Sequence, residues 1–125
     1  MGPLLVIVQE SMTALVRKGE LTPRYYNPGN VFDDVHILLT NPDRPAVEDL
    51  QPSVGTARLT VHNLPFDSRL FVRTLGWRPL LLRSWAAQAV AISREIRPAL
   101  VRCYGSHLNA FLASEIKRCL GVPYV

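Results

Sequence analysis

Five consecutive apolar residues, Leu4-Leu5-Val6-Ile7-Val8, constrain this chain more than any other feature. A run without polar alternation buries both of its faces, which a strand does inside a sheet covered on two sides. A second run of the same character, Val35-His36-Ile37-Leu38-Leu39-Thr40, stops at the turn signal Asn41-Pro42. Ala99-Leu100-Val101-Arg102-Cys103-Tyr104 supplies another and is stopped by Gly105. Ala57-Arg58-Leu59-Thr60-Val61-His62 alternates instead, as a half-exposed strand at a sheet edge does. Tyr124-Val125 opens a fifth strand after the helix-stop pair Gly121 and Pro123.

Helical patterns separate these runs. Pro79 suits the first position of a helix reaching Ile96, with Leu82, Trp85, Ala86, Ala89, Val90 and Ser93 on one face and Pro98 ending it. Ser106 suits the N-cap of a last helix whose stripe is Leu108, Phe111, Leu112, Ile116, Cys119 and Leu120, with Glu115, Lys117 and Arg118 outside. Between the first two strands the helical signal is weak, and the crossover reads mostly as loop, with a turn or two at Asn27-Pro28. Buried strands alternating with helices imply right-handed crossovers and an α/β fold. The expectation is a Rossmann-like doubly wound parallel sheet of order 3-2-1-4-5. It forms a single partial domain over residues 1–125 that breaks off at the start of its fifth strand.

At 125 residues the chain is one domain or less. No apolar run approaches the length needed to cross a bilayer, and Leu4–Val8 lacks the flanks of a signal peptide, so a cytoplasmic protein is the default. Cys103 and Cys119 read as two buried thiols, and His36, His62 and His107 as scattered single histidines, which argues against a disulfide or a metal. Charge is uneven. Residues 1–50 hold seven acids and four bases, whereas residues 51–125 hold ten bases and three acids. Arginine outnumbers lysine twelve to two, so the basic half either grips an anionic partner bidentately or covers a solvated face.

Ligands of doubly wound sheets bind beyond the carboxyl ends of the strands, at the switch between the first and fourth. Two segments fall there: the loop from Gln9-Glu10-Ser11 through Arg17, Lys18 and Gly19, and the turn Gly105-Ser106-His107. After Val8 the next glycine is Gly19, and no GxxxxGK[ST] occurs, which disfavours dinucleotide redox enzymes and nucleotide hydrolases. Arg17, Lys18 and the Gly19 N–H are either an anion site or a solvated basic turn. Gly105, Ser106 and His107 offer a helix N-terminus and an imidazole to a substrate, or simply cap a helix. The stretch FDSRLFVRTLGWRPLLLRSW interleaves Arg69, Arg73, Arg78 and Arg83 with Trp77 and Trp85. It reads first as core and loop tryptophans with outward arginines. Contact of Arg69, Arg73, Trp77 and Arg78 with an anionic membrane surface ranks next, and nucleic acid is disfavoured.

The segments RYYNPGNVFDDVHILLTN and IRPALVRCYGSHLNAFLASEIKRCLGVPYV resemble the N-terminal domain of a family-4 glycosyltransferase of the GT-B type. The first resembles that domain's second strand with its approach. The second resembles its fourth strand, the following helix, and the "GVP" that leads into the fifth. The resemblance implies two Rossmann-like domains around a cleft, transfer of a sugar from a nucleotide-sugar donor, and no other cofactor. It assigns this chain to the acceptor side, inactive alone, with the sugar acceptor as its partner. The family's glycine pair after the first strand is not matched by Gln9-Glu10-Ser11. The alternative is a self-contained flavodoxin-like binding or regulatory module. An unpaired fifth-strand edge also predicts self-association.

Overall fold

A computed structural model of the chain describes residues 2–65, 79–105 and 107–125. Its centre is a parallel sheet of four strands: β1 (Leu4–Val8), β2 (Asp34–Leu39), β3 (Arg58–Asn63) and β4 (Leu100–Tyr104). The spatial order is β3-β2-β1-β4. Val8 therefore stands beside Leu39 on one side and Tyr104 on the other. Tyr124 bridges Val101 in parallel, and the Val125 N–H donates to the Val101 carbonyl at 2.9 Å. The expected order, with Tyr124-Val125 as the fifth position beside the fourth strand, is the order found.

The continuous apolar run of β1 is explained by its two neighbours. Leu5 and Ile7 enter one core with Leu38, Trp85, Ala89, Val101, Leu112 and Ile116. Leu4, Val6 and Val8 enter another with Met12, Tyr26, Ile37, Leu50 and Val54. All five residues are buried. Period-2 alternation thus sends successive apolar residues into opposite layers, as a central parallel strand requires.

Two long helices, α3 (Pro79–Ile96) and α4 (His107–Leu120), cover the first face. The second face is covered by short pieces. These are α1 (Met12–Lys18), a 3-10 turn at Pro28–Asn30, α2 (Val47–Leu50), and a 3-10 turn at Gln51–Val54. The 24–26 loop is tied to the last of these, Arg24 and Tyr26 donating to the Pro52 and Ser53 carbonyls at 2.7 and 2.9 Å.

Four sequence readings need correction. The first crossover is not mostly loop, because Ser11 and Gly19 bracket α1. The Ser11 Oγ accepts from the Ala14 N–H at 3.2 Å, and Gly19 ends the helix at φ 69°. Glu115 is not on the outside but buried against Arg118, at 2.7 Å. Cys119 is exposed rather than core, on the wall of a surface groove beside Ala87 and Val90 of α3. His36 and His62 are not isolated: neighbouring parallel strands bring Nδ1 of one to 3.0 Å from Nε2 of the other. No helix among the described residues is long and apolar enough to cross a membrane.

Candidate functional site

The carboxyl edge of the sheet is where β1 and β4 part company. β1 continues into α1 over the second face, while β4 continues into α4 over the first. Beside this switch, on the second face, lies a cleft of about 170 Å3 lined by Val8, Glu10, Glu20, Tyr25, Tyr26 and Tyr104, among others.

Three tyrosines shape it. The Tyr26 ring meets Tyr25 and Tyr104 edge-on, at centroid distances of 5.0 and 5.1 Å, and Tyr25 sits 5.9 Å from Tyr104. Edge-to-face contacts of this kind hold rings in fixed mutual orientation. Tyr26 is buried, and its hydroxyl donates to the Met12 Sδ at 3.6 Å. Tyr25 is half exposed and forms an open wall. The Arg102 guanidinium lies 5.4 Å from the centre of the Tyr104 ring, within cation–π range. Burial pushes the Tyr26 phenol far above its ordinary value, and the neighbouring tyrosines and the Glu10 carboxylate add to this. Burial also raises Tyr104, with Arg102 opposing it. Both hydroxyls therefore stay neutral donors at any physiological pH.

The tyrosine loop is placed by Asn27, which the sequence marks only as a turn signal. Asn27 is fully buried, and its amide donates to the Phe32 and Val54 carbonyls at 2.9 and 3.0 Å. Its Oδ1 accepts from the Phe32 N–H at 3.1 Å. One side chain thus satisfies three backbone groups of an irregular segment that has no ladder to pair them.

A polar network stiffens the rim. Asn41 donates to the Gln9 and Glu10 carbonyls at 2.6 and 2.7 Å, tying the end of β2 to the end of β1. Asp43 accepts from the Thr13 N–H at 2.8 Å and from the Thr13 and Ser11 hydroxyls. Burial works to raise the Asp43 carboxyl, but these hydrogen bonds outweigh it and hold the group below its usual range. Asn63 donates to the Asp43 carbonyl at 2.7 Å, bringing in β3. Thr40 and Asn109 join at 2.9 Å, and Asn109 donates to the Tyr104 carbonyl at 2.6 Å.

The structure separates the expected site residues. Gly105 does reach the switch point. Its φ is +105°, and a Cβ there would stand 3.1 Å from the Gln9 Cβ, so the two expected segments meet through this glycine. The Gln9 side chain itself occupies the space in front of Gly105. α4 begins at His107, and Ser106 lies outside the described residues. Arg17, Lys18 and Gly19 do not line the cleft, although Leu15 and Glu20 on either side of them do. α1 carries them about 10 Å along its axis from the strand end, where the two bases complement the negative helix terminus. The Gly19 N–H is not free for an anion, because it donates to the Val16 carbonyl at 3.1 Å. Arg69, Arg73, Trp77 and Arg78 lie outside the described residues. Tyr25, Tyr26 and Tyr104 went unassigned, although an aromatic doublet before Asn27-Pro28 was a usable signal. Among the described residues no group of three or more His, Cys, Asp or Glu could hold a metal ion.

No protein-family profile matches the sequence, and neither does any curated protein. Two crystal structures of the C-terminal domain of a hydrogenase from Pyrococcus furiosus are similar in fold. They give TM-scores of 0.56 and 0.59 at 17% and 16% identity, each match covering 99% of this chain and 89% of the other. At that identity the likeness establishes the α/β, Rossmann-like sheet.

Proposed function

We propose that this chain is the acceptor-side domain of a sugar-transferring enzyme of the GT-B type, which works with a donor-binding domain and a nucleotide-sugar donor. The tyrosine cleft between Glu10 and Glu20 carries the reading. A pyranose has apolar C–H faces and a rim of hydroxyls. Tyrosine rings suit the faces, and carboxylates accept from the hydroxyls. The cleft volume of about 170 Å3 equals that of about six waters at ~30 Å3 each, room for one ring-sized group.

The rest of the chain fits this division of labour. Transfer requires an acceptor held in line and a leaving diphosphate stabilised by fixed donors. This chain offers the first. The space in front of Gly105 is taken by Gln9, and the Gly19 N–H is spent on α1, which leaves the diphosphate to the other domain. The resemblance of RYYNPGNVFDDVHILLTN and the β4–α4 segment to family-4 glycosyltransferases supports the same assignment. The fold-level likeness to a hydrogenase domain is neutral between activities.

The test is a titration of the chain with methyl glycosides and, separately, with nucleotide sugars, followed by NMR. The tyrosine ring signals of the cleft shift with a saccharide, and Glu20→Gln or Tyr104→Ala abolishes the shift. Tight nucleotide-sugar binding, or tyrosine signals blind to every saccharide, overturns the reading.

A further inference from the structure

The opposite face carries a feature that the cleft does not use. Two adjoining grooves run between α3 and α4 and share Arg94. The first, about 240 Å3, is lined by Arg83, Arg94, Arg118 and Glu115 over Ala87 and Val90. The second, about 330 Å3, adds Arg97 over an apolar floor of Pro98, Leu120 and Val122. Together the two grooves hold four arginines and one carboxylate.

That carboxylate is already engaged. Glu115 is buried, and Arg118 donates to it through Nε at 3.2 Å and through Nη2 at 2.7 Å. The Arg118 hydrogen bond lowers the Glu115 carboxyl, burial opposes, and the charges of Arg118 and Arg83 lower it further. Glu115 therefore stays ionised and orders Arg118 at the groove wall. Arg83, Arg94 and Arg97 are exposed, and among the described residues none of the three has an ion pair.

We propose that this strip docks an acidic, amphipathic peptide segment of a partner protein. Its carboxylates meet Arg83, Arg94 and Arg97, and its apolar side chains enter the floor at Val90, Leu120 and Val122. Guanidinium forks match carboxylates bidentately, and an apolar floor with charged walls suits a segment laid along a groove. A bilayer fits less well. Interfacial helices insert large apolar side chains. The exposed large apolar residues among those described are Tyr25, Val31, Val47, Tyr124 and Val125, none of them on α3 or α4. The outer positions of α3 are instead short or polar, as at Ser84, Ala87, Gln88 and Ala91.

The experiment uses the 125-residue chain, a fluorescein-labelled amphipathic peptide of glutamate and leucine, its glutamine counterpart, and phosphatidylserine vesicles. The glutamate peptide binds and loses affinity with rising salt, and the glutamine peptide binds far less. Arg94→Glu with Arg97→Glu weakens binding by about tenfold or more, as lost charge pairs at an interface do. The milder pair Arg94→Gln with Arg97→Gln, folded by circular dichroism, shows the same direction. Amide shifts map to α3 and α4. No binding by the glutamate peptide, equal binding by the variants, shifts confined to the tyrosine cleft, or vesicle binding without peptide binding each overturn the proposal.

Discussion

The two faces of the sheet are built on different principles. One carries helices of 18 and 14 residues joined by apolar contact, with Leu112, Ala113 and Ile116 of α4 meeting Trp85, Ala86 and Ala89 of α3. The other carries helices of seven and four residues, which are too short to stand by themselves. Side-chain hydrogen bonds donated by Asn27, Asn41 and Gln51 and accepted by Asp43 hold that layer instead. Two packed helices leave arginine-lined grooves along their seam, whereas the irregular layer leaves a cleft walled by aromatic rings and carboxylates. The tyrosine cleft lies in the irregular layer, and only there does it find walls from four separate segments.

The sharpest way to break this comparison is to truncate the regular face. Leu112→Ala removes a fully buried side chain between two helices and the sheet. It should cost about 2–5 kcal/mol, the usual range for such a cavity. Chemical denaturation measures it, and a loss below about 1 kcal/mol would mean that α4 is dispensable to the core.

Asn27→Ala attacks the irregular face through polar rather than apolar loss. Two carbonyls and one N–H lose their partner. The expected cost is about 1–3 kcal/mol for leaving such buried groups unmet. The telling readout is local: hydrogen exchange should quicken around residues 24–32 and 54 while α3 and α4 keep their protection. Uniform loosening of both faces would erase the distinction drawn between them.

Acid should weaken the sheet edge between the two layers. Burial lowers the His62 pKa, the His36 charge lowers it further, and Glu95 opposes. Asp34 also faces the pair, 3.4 Å from His36 Nε2. A histidine that the fold keeps neutral gives stability that is fully present above its ordinary pKa of ~6.5 and is lost as pH falls through the depressed value. Unfolding midpoints measured from neutral pH down to the carboxylate range should therefore decline, and His62→Gln should flatten that decline. An unchanged profile in the variant would remove the histidine pair from the account.

The smallest effect belongs to Tyr26→Phe. It deletes one long O–H···S contact to Met12 and keeps the ring contacts. A change of about 0.5 kcal/mol or less is expected for so weak a bond. A large change would show that the hydroxyl, and not ring packing, places the tyrosine loop.

Sequence alone determined the strands, their order and the two long helices. β1, α3 and the end of α4 appear where apolar runs, Pro79, Pro98 and Gly121 put them. Those signals are local, and topology followed from the handedness of crossovers. Sequence was less informative about the irregular face. Ser11 and Gly19 cap α1, but a seven-residue helix has too little periodicity to stand out in the sequence. Val47–Leu50 gave no signal at all.

Tertiary structure decided what meets what. His36 finds His62, Glu115 turns inward, and Tyr104 at the end of a strand joins Tyr25 and Tyr26 from a loop 78 residues earlier in the chain. Gly105 and Gln9 close on each other, while Arg17 and Lys18 are carried away by the helix that precedes Gly19. The physical reason is the same in each case. Periodicity reports which face of an element is buried, but contact between distant residues depends on strand register and on loops fixed by single buried polar side chains such as Asn27.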